Sequence, residues 1–312
     1  MLSKLHPNSR SAWMLVALTV MMSAGVVALF QFASTTSDGN ILFTQFDGND
    51  YEIFVMDGDG NIEQLTNNDV NDWAAGWSPD YSEIAFRSQL DGMSRIYVMN
   101  ADGSDMRAIT PDTLYAGDWG RAGIPTWSPD GESIAFEAVD FVNTSNNFDI
   151  FVVNVDNGKI EQITDTPSNE WHPDFSPNGR QIAFARDEVG TDCYNTCDIY
   201  VMDADGSNQF RYTYTDGMDV FPQWSPDGNH ILFHSERNGN SDIYVMSAYG
   251  CSPTNLTNSD TLERVARWSP DGNSIVFRSE RDGDSDIYVM NLQTGETEIR
   301  TDNFLDDRYP DW

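Results

Sequence analysis

Lysine is nearly missing from this chain of 312 residues, which carries it only at Lys4 and Lys159. Lys and Arg together number 17 against 50 Asp and Glu, and the formal net charge is −33. The first acid, Asp38, comes only after a hydrophobic N-terminus, so everything downstream is anionic. A surface with that field repels phosphate backbones and anionic headgroups, which excludes nucleic acid as a partner, and it attracts cations and basic proteins at low salt. A solvated acidic shell suited to a high-salt habitat accounts for the same composition. Histidine is also scarce. The four residues His6, His172, His230 and His234 show no metal-ligand spacing, and His6 precedes the hydrophobic segment. No G-x-S-x-G elbow occurs, and no catalytic constellation is found, so an enzyme is not expected. Long polar tracts and helical periodicity are lacking too. With 12% aromatic residues the chain can bury a sizeable core and is not a disordered protein.

One long apolar run is present, at residues 12–33, with Lys4 and Arg10 ahead of it. Its length matches a bilayer core, and the basic residues in front keep the N-terminus in the cytoplasm and send the rest outside. The sequence thus divides into a cytoplasmic tail at 1–11, a signal anchor at 12–33, a linker at 34–38 and a single large domain at 39–312. A cleaved signal peptide is the rival, with Ser23-Ala24-Gly25 as the cut site, but the apolar run continues through Val26, Val27, Leu29 and Phe30. Either way the large domain is extracytoplasmic, in the periplasm or outside the cell.

That domain is a repeat. The triplets beginning at Ile41, Ile84, Ile134, Ile182, Ile231 and Ile275 all read Ile-x-Phe, 43 to 50 residues apart. Each is followed by a second β-rich run, beginning at Ile53, Ile96, Ile150, Ile199, Ile243 and Ile287. A third run ends in Leu65-Thr66, Ile109-Thr110, Ile163-Thr164, Tyr214-Thr215, Leu256-Thr257 and Arg300-Thr301. A fourth ends in Trp77, Trp127, Phe175, Trp224, Trp268 and Trp312. The first five of these aromatics lead into Ser-Pro-Asp-Gly-type turns, where Pro has its φ set for a type I turn and Gly suits the exit. Four short strands at this period make a propeller blade, so the fold is all-β, a six-bladed β-propeller with four antiparallel strands per blade. Gly39 opens on a second strand, and residues 309–312 supply the missing first one. The C-terminal strand is therefore expected to close the ring beside residues 41–43 and to bury Trp312.

The succession W-S-P-D-G, I-A-F, D-I-Y-V-M, D-G and L-T resembles the repeat of the TolB-like propellers over residues 39–312. The resemblance implies a six-bladed ring and a role in protein contacts. TolB carries an α/β domain before its propeller, whereas only the hydrophobic segment and the short linker stand there in this sequence.

Topology places the candidate sites. The turns between first and second strands and between third and fourth lie on one face and hardly vary. The second-to-third connections and the inter-blade links lie on the other and differ widely, with 110–124, 137–148 and 185–197 the longest. Diversity on a constant scaffold is where binding resides, so this variable face is expected to take a protein or a cell-envelope component through Tyr51, Trp73, Tyr115, Trp119, Phe141 and Tyr194. A carboxylate also stands five residues before five of the closing aromatics, at Asp72, Glu170, Asp219, Glu263 and Asp307, with Ala122 in the sixth repeat. These acids are expected at the mouth of the channel, where they would bind Ca²⁺ or a partner's basic side chain, or accept hydrogen bonds from the links. A metal-dependent hydrolase or lyase using that acidic channel is the alternative function. The Asp-x-Asp-Gly turns at 57–60 and 203–206 lack the ligand spacing of a Ca²⁺ loop and read as hairpin turns. Cys193 and Cys197 share one variable-face loop and Cys251 belongs to the opposite face, which predicts a Cys193–Cys197 disulfide and a free Cys251.

Overall fold

The computed structural model describes residues 39–117, 124–141, 147–187 and 196–312. The hydrophobic run at 12–33 and its flanks lie outside the described residues, and no helix among the described ones is long and apolar enough to cross a membrane.

Six antiparallel sheets succeed one another along the chain. In blade one the strands Ile41–Phe46, Tyr51–Met56 and Ile62–Gln64 are joined on the inner side by Asp307–Asp311, which pairs with Ile41–Phe46. The C-terminal strand thus closes the ring. Asp72–Trp77, Glu170–Phe175, Asp219–Trp224 and Glu263–Trp268 are the inner strands of blades two, four, five and six. Blade three departs from the pattern. Its inner edge is split into Thr126–Trp127 and an additional strand, Leu114–Tyr115, which pairs with Val139 and Asp140 at the far end of an eight-residue second strand, Ser133–Asp140. Part of the link read from sequence as a loop at 110–124 therefore belongs to the sheet.

The repeated letters have repeated physical roles. In every blade the Phe of Ile-x-Phe pairs directly with an aromatic residue of the third strand, from Phe43 opposite Phe54 to Phe277 opposite Tyr288, with ring centroids 5.7 to 6.0 Å apart. These pairs fill the space between successive blades, which is where most of the core lies. The threonine ending the repeat returns to the third strand: Thr66, Thr110, Thr164, Thr257 and Thr301 each accept the N–H of the Ile near its start, at 2.8 to 3.0 Å. In blade four Thr213 makes this bond, 2.9 Å from the Ile199 nitrogen, so the assignment of Tyr214-Thr215 is two residues too late. The Ser-Pro-Asp-Gly turns are held from within. Ser225 Oγ accepts the His230 N–H, Asp227 accepts the Asn229 N–H, and hydrogen bonds from Ser225 and Asn229 bring the Asp227 carboxyl down to about 2. Gly131, Gly179, Gly228 and Gly272 take φ of 68 to 75° there, and Tyr81 occupies the same left-handed position in blade two.

The inner strand of every blade but the third contains a bulge with a left-handed residue third from its start: Ala74, His172, Phe221, Val265 and Tyr309, with φ between 49 and 56°. Ala74, Ile124, Val265 and Tyr309, from four blades, meet with Trp73 and Phe221 in one apolar cluster. His172 stacks on Phe221 with ring centroids 3.7 Å apart. Side chains from six blades converge only at the axis, so the bulges fill the middle of the channel with an apolar plug.

Candidate functional site

The five carboxylates read as a ring at the channel mouth are all fully buried, and each is engaged within its own blade. Glu170, Asp219 and Glu263 pair with Arg186, Arg237 and Arg281 at 2.8 to 3.0 Å. Each arginine lies over the two rings of its blade's aromatic pair, as Arg237 does 5.2 Å from Phe233 and 4.7 Å from Tyr244. Asp72 accepts from Asn68 at 2.7 Å, and Asp307 from Gln45 and Asn303 at 2.7 and 2.9 Å. The five acids expected at the channel mouth are thus buried, each with a hydrogen-bond or ion-pair partner. The bulged third residue occupies the axis, and the acid two positions earlier is engaged by an arginine or an amide donor instead. Ala122, the sixth position, lies outside the described residues. The turns at 57–60 and 203–206 close as hairpins, with Gly60 and Gly206 N–H groups bonded to the Asp57 and Asp203 carbonyls.

Of the six expected binding-face aromatics, Trp73 is fully buried in the axial plug, which corrects its placement on the surface. The residue stands directly before the bulge, and the change in backbone direction carries it inward. Tyr51 is half-buried, donating its hydroxyl to Asp306 at 2.8 Å with Arg308 over its ring. Tyr115 and Phe141 come together, 5.9 Å apart, with Phe141 exposed. The row continues inward through Phe148, 6.3 Å from Tyr115 and 4.2 Å from Trp171. Trp119 and Tyr194 lie outside the described residues. Cys197 is disulfide-bonded and Cys251 is an exposed free thiol, while Cys193 lies outside the described residues.

The sequence reading missed several exposed apolar residues on the same face. Leu90 stands on the second-to-third connection of blade two, Tyr214 on the link after blade four, and Phe304 and Leu305 on the link after blade six. An apolar pair between Asn303 and Asp306 in an otherwise polar link was the available signal. Among the described residues, the other exposed large apolar side chains are Ile62 and Phe210 on outer strands and Tyr249 on the opposite face.

At the other end of the axis, a cavity of about 190 Å³ is lined by Asp174, Gln223, Arg267 and Asp311, the residues preceding four of the closing aromatics. Asp174, Gln223 and Asp311 accept the backbone N–H of Trp224, Trp268 and Trp77 at 2.7 to 2.9 Å, each latching the next blade's inner strand. Arg267 stands 3.8 Å from Asp174 and 3.6 Å from Asp311. Burial pushes the Asp174 carboxyl up to about 6 against the opposing pull of Arg267, and burial pushes Asp72 up to about 6 as well. His234 is buried with neither ring nitrogen hydrogen-bonded, and burial together with Arg264 and His172 keeps it neutral well below the usual imidazole range.

These shifts give a pH dependence. A carboxyl whose folded pKa is raised adds stability that is full below about pH 4 and lost as pH rises through about 6. His234 opposes it, since below about pH 6.5 the unfolded chain takes up a proton the folded chain refuses. Burial pushes the Glu52 carboxyl up to about 7 in the same way, and the three carboxyls together outweigh one imidazole, so the melting temperature is expected to rise by about 2–5 °C from pH 7.5 to pH 5 at fixed ionic strength. Asp72→Asn should flatten that rise. A melting temperature that falls over this range, or an unchanged slope in the variant, contradicts the assignment.

Six blades, five of them four-stranded and one carrying an additional strand, around a filled axis make the molecule a β-propeller. Residues 115–216, about a third of the chain, match the TolB β-propeller domain family, and over that stretch the chain is similar to the TolB-like propellers. The fold is shared with TolB of Acinetobacter baumannii, at a TM-score of 0.72 and 19% identity over 88% of this chain and 67% of that one. It is also shared with an oligogalacturonate lyase in complex with manganese, at a TM-score of 0.60 and 16% identity over 84% and 73% of the two chains. In sequence the chain is 28% identical over 132 residues to an uncharacterized protein of Agrobacterium fabrum, covering 42% of each. The chain spans less than half the length of the curated relatives it matches.

Proposed function

We propose that this propeller is an extracytoplasmic binding scaffold, held at the membrane by its N-terminal segment, that takes a protein or cell-envelope component on its variable face. The observation that carries the reading is the distribution of exposed apolar side chains. Leu90, Phe141, Tyr214, Phe304 and Leu305 stand on the second-to-third connections and links of that face, with Tyr249 on the other. Large apolar side chains on a strongly anionic shell are costly to solvate and are the usual anchors of interfaces. The acidic-channel reading has less support, because the plug fills the axis and the five carboxylates already have partners. A Cys193–Cys197 disulfide would stiffen one loop of the binding face.

The test is capture from native envelope extracts by the full chain, compared with Phe141→Ser/Phe304→Ser and with Phe210→Ser/Tyr249→Ser. Loss of two anchors is expected to weaken retention about 10–100-fold. The second variant should behave as the parent. If the first pair of substitutions leaves every captured component in place, the variable face is not the binding surface.

A further inference from the structure

The acid that opens the third strand is held in a repeated way. In blade five, Asp242 accepts Thr257 Oγ1 on one oxygen at 3.0 Å and Asn255 Nδ2 on the other at 2.9 Å. In blade four, Asp198 accepts Thr213 at 3.2 Å and is paired with Arg211 through its second oxygen. In blade three, Gln162 donates to Asp149 at 3.1 Å. In these three blades the outer-strand donor is the residue facing the third strand's aromatic: Asn255 opposite Tyr244, Arg211 opposite Tyr200 and Gln162 opposite Phe151.

Blade six has the acid but lacks this donor. Asp286 keeps its threonine, with Thr301 donating to Oδ1 at 2.9 Å, but Ile299 stands opposite Tyr288. Asp286 is fully buried and its Oδ2 has no hydrogen-bond donor. The loop before it changes at the same time. Blade five has Asn238 and Asn240, whose amides donate to the Tyr244 hydroxyl and to link carbonyls. Blade six has Asp282 and Asp284 at those positions, and one carboxylate oxygen from each of Asp282, Asp284 and Asp286 lies within 4.8 Å of the others. A donor has been removed from a buried carboxylate and two more negative charges have been added beside it. Without a cation, that arrangement combines an unsatisfied buried anion with mutual repulsion.

We propose that the loop at 282–286 binds a hard divalent cation of the Ca²⁺ type through Asp282, Asp284 and the free oxygen of Asp286. Oxygens up to 4.8 Å apart suit an ion with metal–oxygen distances of 2.3–2.6 Å, and the exposed side of Asp282 leaves room for waters to complete a shell of six to eight. Mg²⁺, with its shorter distances and stricter octahedral geometry, fits less well. The same loop is bonded to the link that carries Phe304 and Leu305, since the Ser285 carbonyl accepts the Asp307 N–H and the Ser285 hydroxyl donates to the Asp307 carbonyl. The bound ion would therefore fix one edge of the variable face. The cluster of Asp47, Asp50 and Glu52 in blade one is less suited. There both Glu52 oxygens have donors, from Thr66 and Asn68, and Asp47 Oδ1 accepts the Asn49 and Asp50 N–H groups.

The full chain, stripped with a chelator and dialysed, should be titrated with CaCl₂ by calorimetry and melted with and without Ca²⁺ at constant ionic strength. One site is expected, and at about 100 times Kd the melting temperature should rise by about 3–6 °C, with Mg²⁺ giving less. Asp284→Asn should weaken Ca²⁺ at least about tenfold. Ile299→Asn, which restores the donor found in blade five, should weaken it as well, and Asp50→Asn should leave it unchanged. If Asp284→Asn fails to fold, Asp282→Asn at the exposed position gives the same readout. No binding heat and no shift, as when Asp282 and Asp286 simply share a proton, overturns the proposal. So does a response that survives Asp284→Asn or is lost in Asp50→Asn.

Discussion

Removal of residues 307–312 is expected to lower stability by at least about 3–5 kcal/mol, the cost of truncating a large core aromatic, and to lower it more than substitution of Trp312 alone. The loss has three separable parts. Asp307–Asp311 is the inner strand of blade one, and without it Ile41–Phe46 presents an unpaired edge beside the axis. Tyr309 sits in the axial plug against residues of other blades, so its removal leaves a cavity where several blades meet. The Asp311 carboxylate accepts the Trp77 N–H at 2.9 Å, which latches blade one to blade two. Trp312 was expected to be the buried anchor, but it is half-buried at the edge of a cluster, and Tyr309 carries more of the burial. Urea denaturation of the truncated chain and of Tyr309→Ala measures the shares. Tyr309→Ala should cost more than Trp312→Ala. A truncated chain melting within about 1 °C of the intact one is incompatible with closure by this strand.

The architecture was legible because each blade repeats a short physical code. Ile-x-Phe and the aromatic of the third strand had to pair, since a period-two strand puts them on one face and the register sets them opposite each other. The turns were legible because Pro, Asp and Gly each have a single conformational use there. The threonine of blade four was misplaced because Tyr214-Thr215 imitates the apolar-Thr ending while Tyr212-Thr213 performs it. The inner-strand bulges left no mark, because the residues that take positive φ are as different as Ala74, His172 and Val265. From that one hidden feature follow the misplacement of Trp73 and of the five carboxylates. An alternating pattern continued through a bulge assigns every side chain before it to the wrong side. Partners such as Arg186 for Glu170 lie sixteen residues away on another strand, and only the register brings them together.

Glu137→Ala is expected to cost about 3–5 kcal/mol, although Glu137 is fully buried and outside every site described above. Glu137 and Arg87 follow the Ile-Ala-Phe triplets of blades three and two, and both are fully buried. Their 2.6 Å contact is supported on each side, for Arg87 also donates to the Ala116 carbonyl and Glu137 also accepts the His172 N–H at 3.1 Å. The pair therefore joins blades two, three and four beside the axis. Burial disfavours the Arg87 cation and Glu137 opposes that effect, so deleting the acid leaves a guanidinium without its counter-charge in a low-dielectric interior. Glu137→Gln keeps an acceptor for His172 and should fall between the parent and the alanine variant. The double replacement Arg87→Met/Glu137→Leu removes both charges and fills similar volume, so it should recover most of the loss. A double-mutant cycle in urea reads the coupling directly. If Glu137→Ala costs under about 1 kcal/mol, or the double variant costs the sum of the two single ones, the pair is not what ties these three blades together.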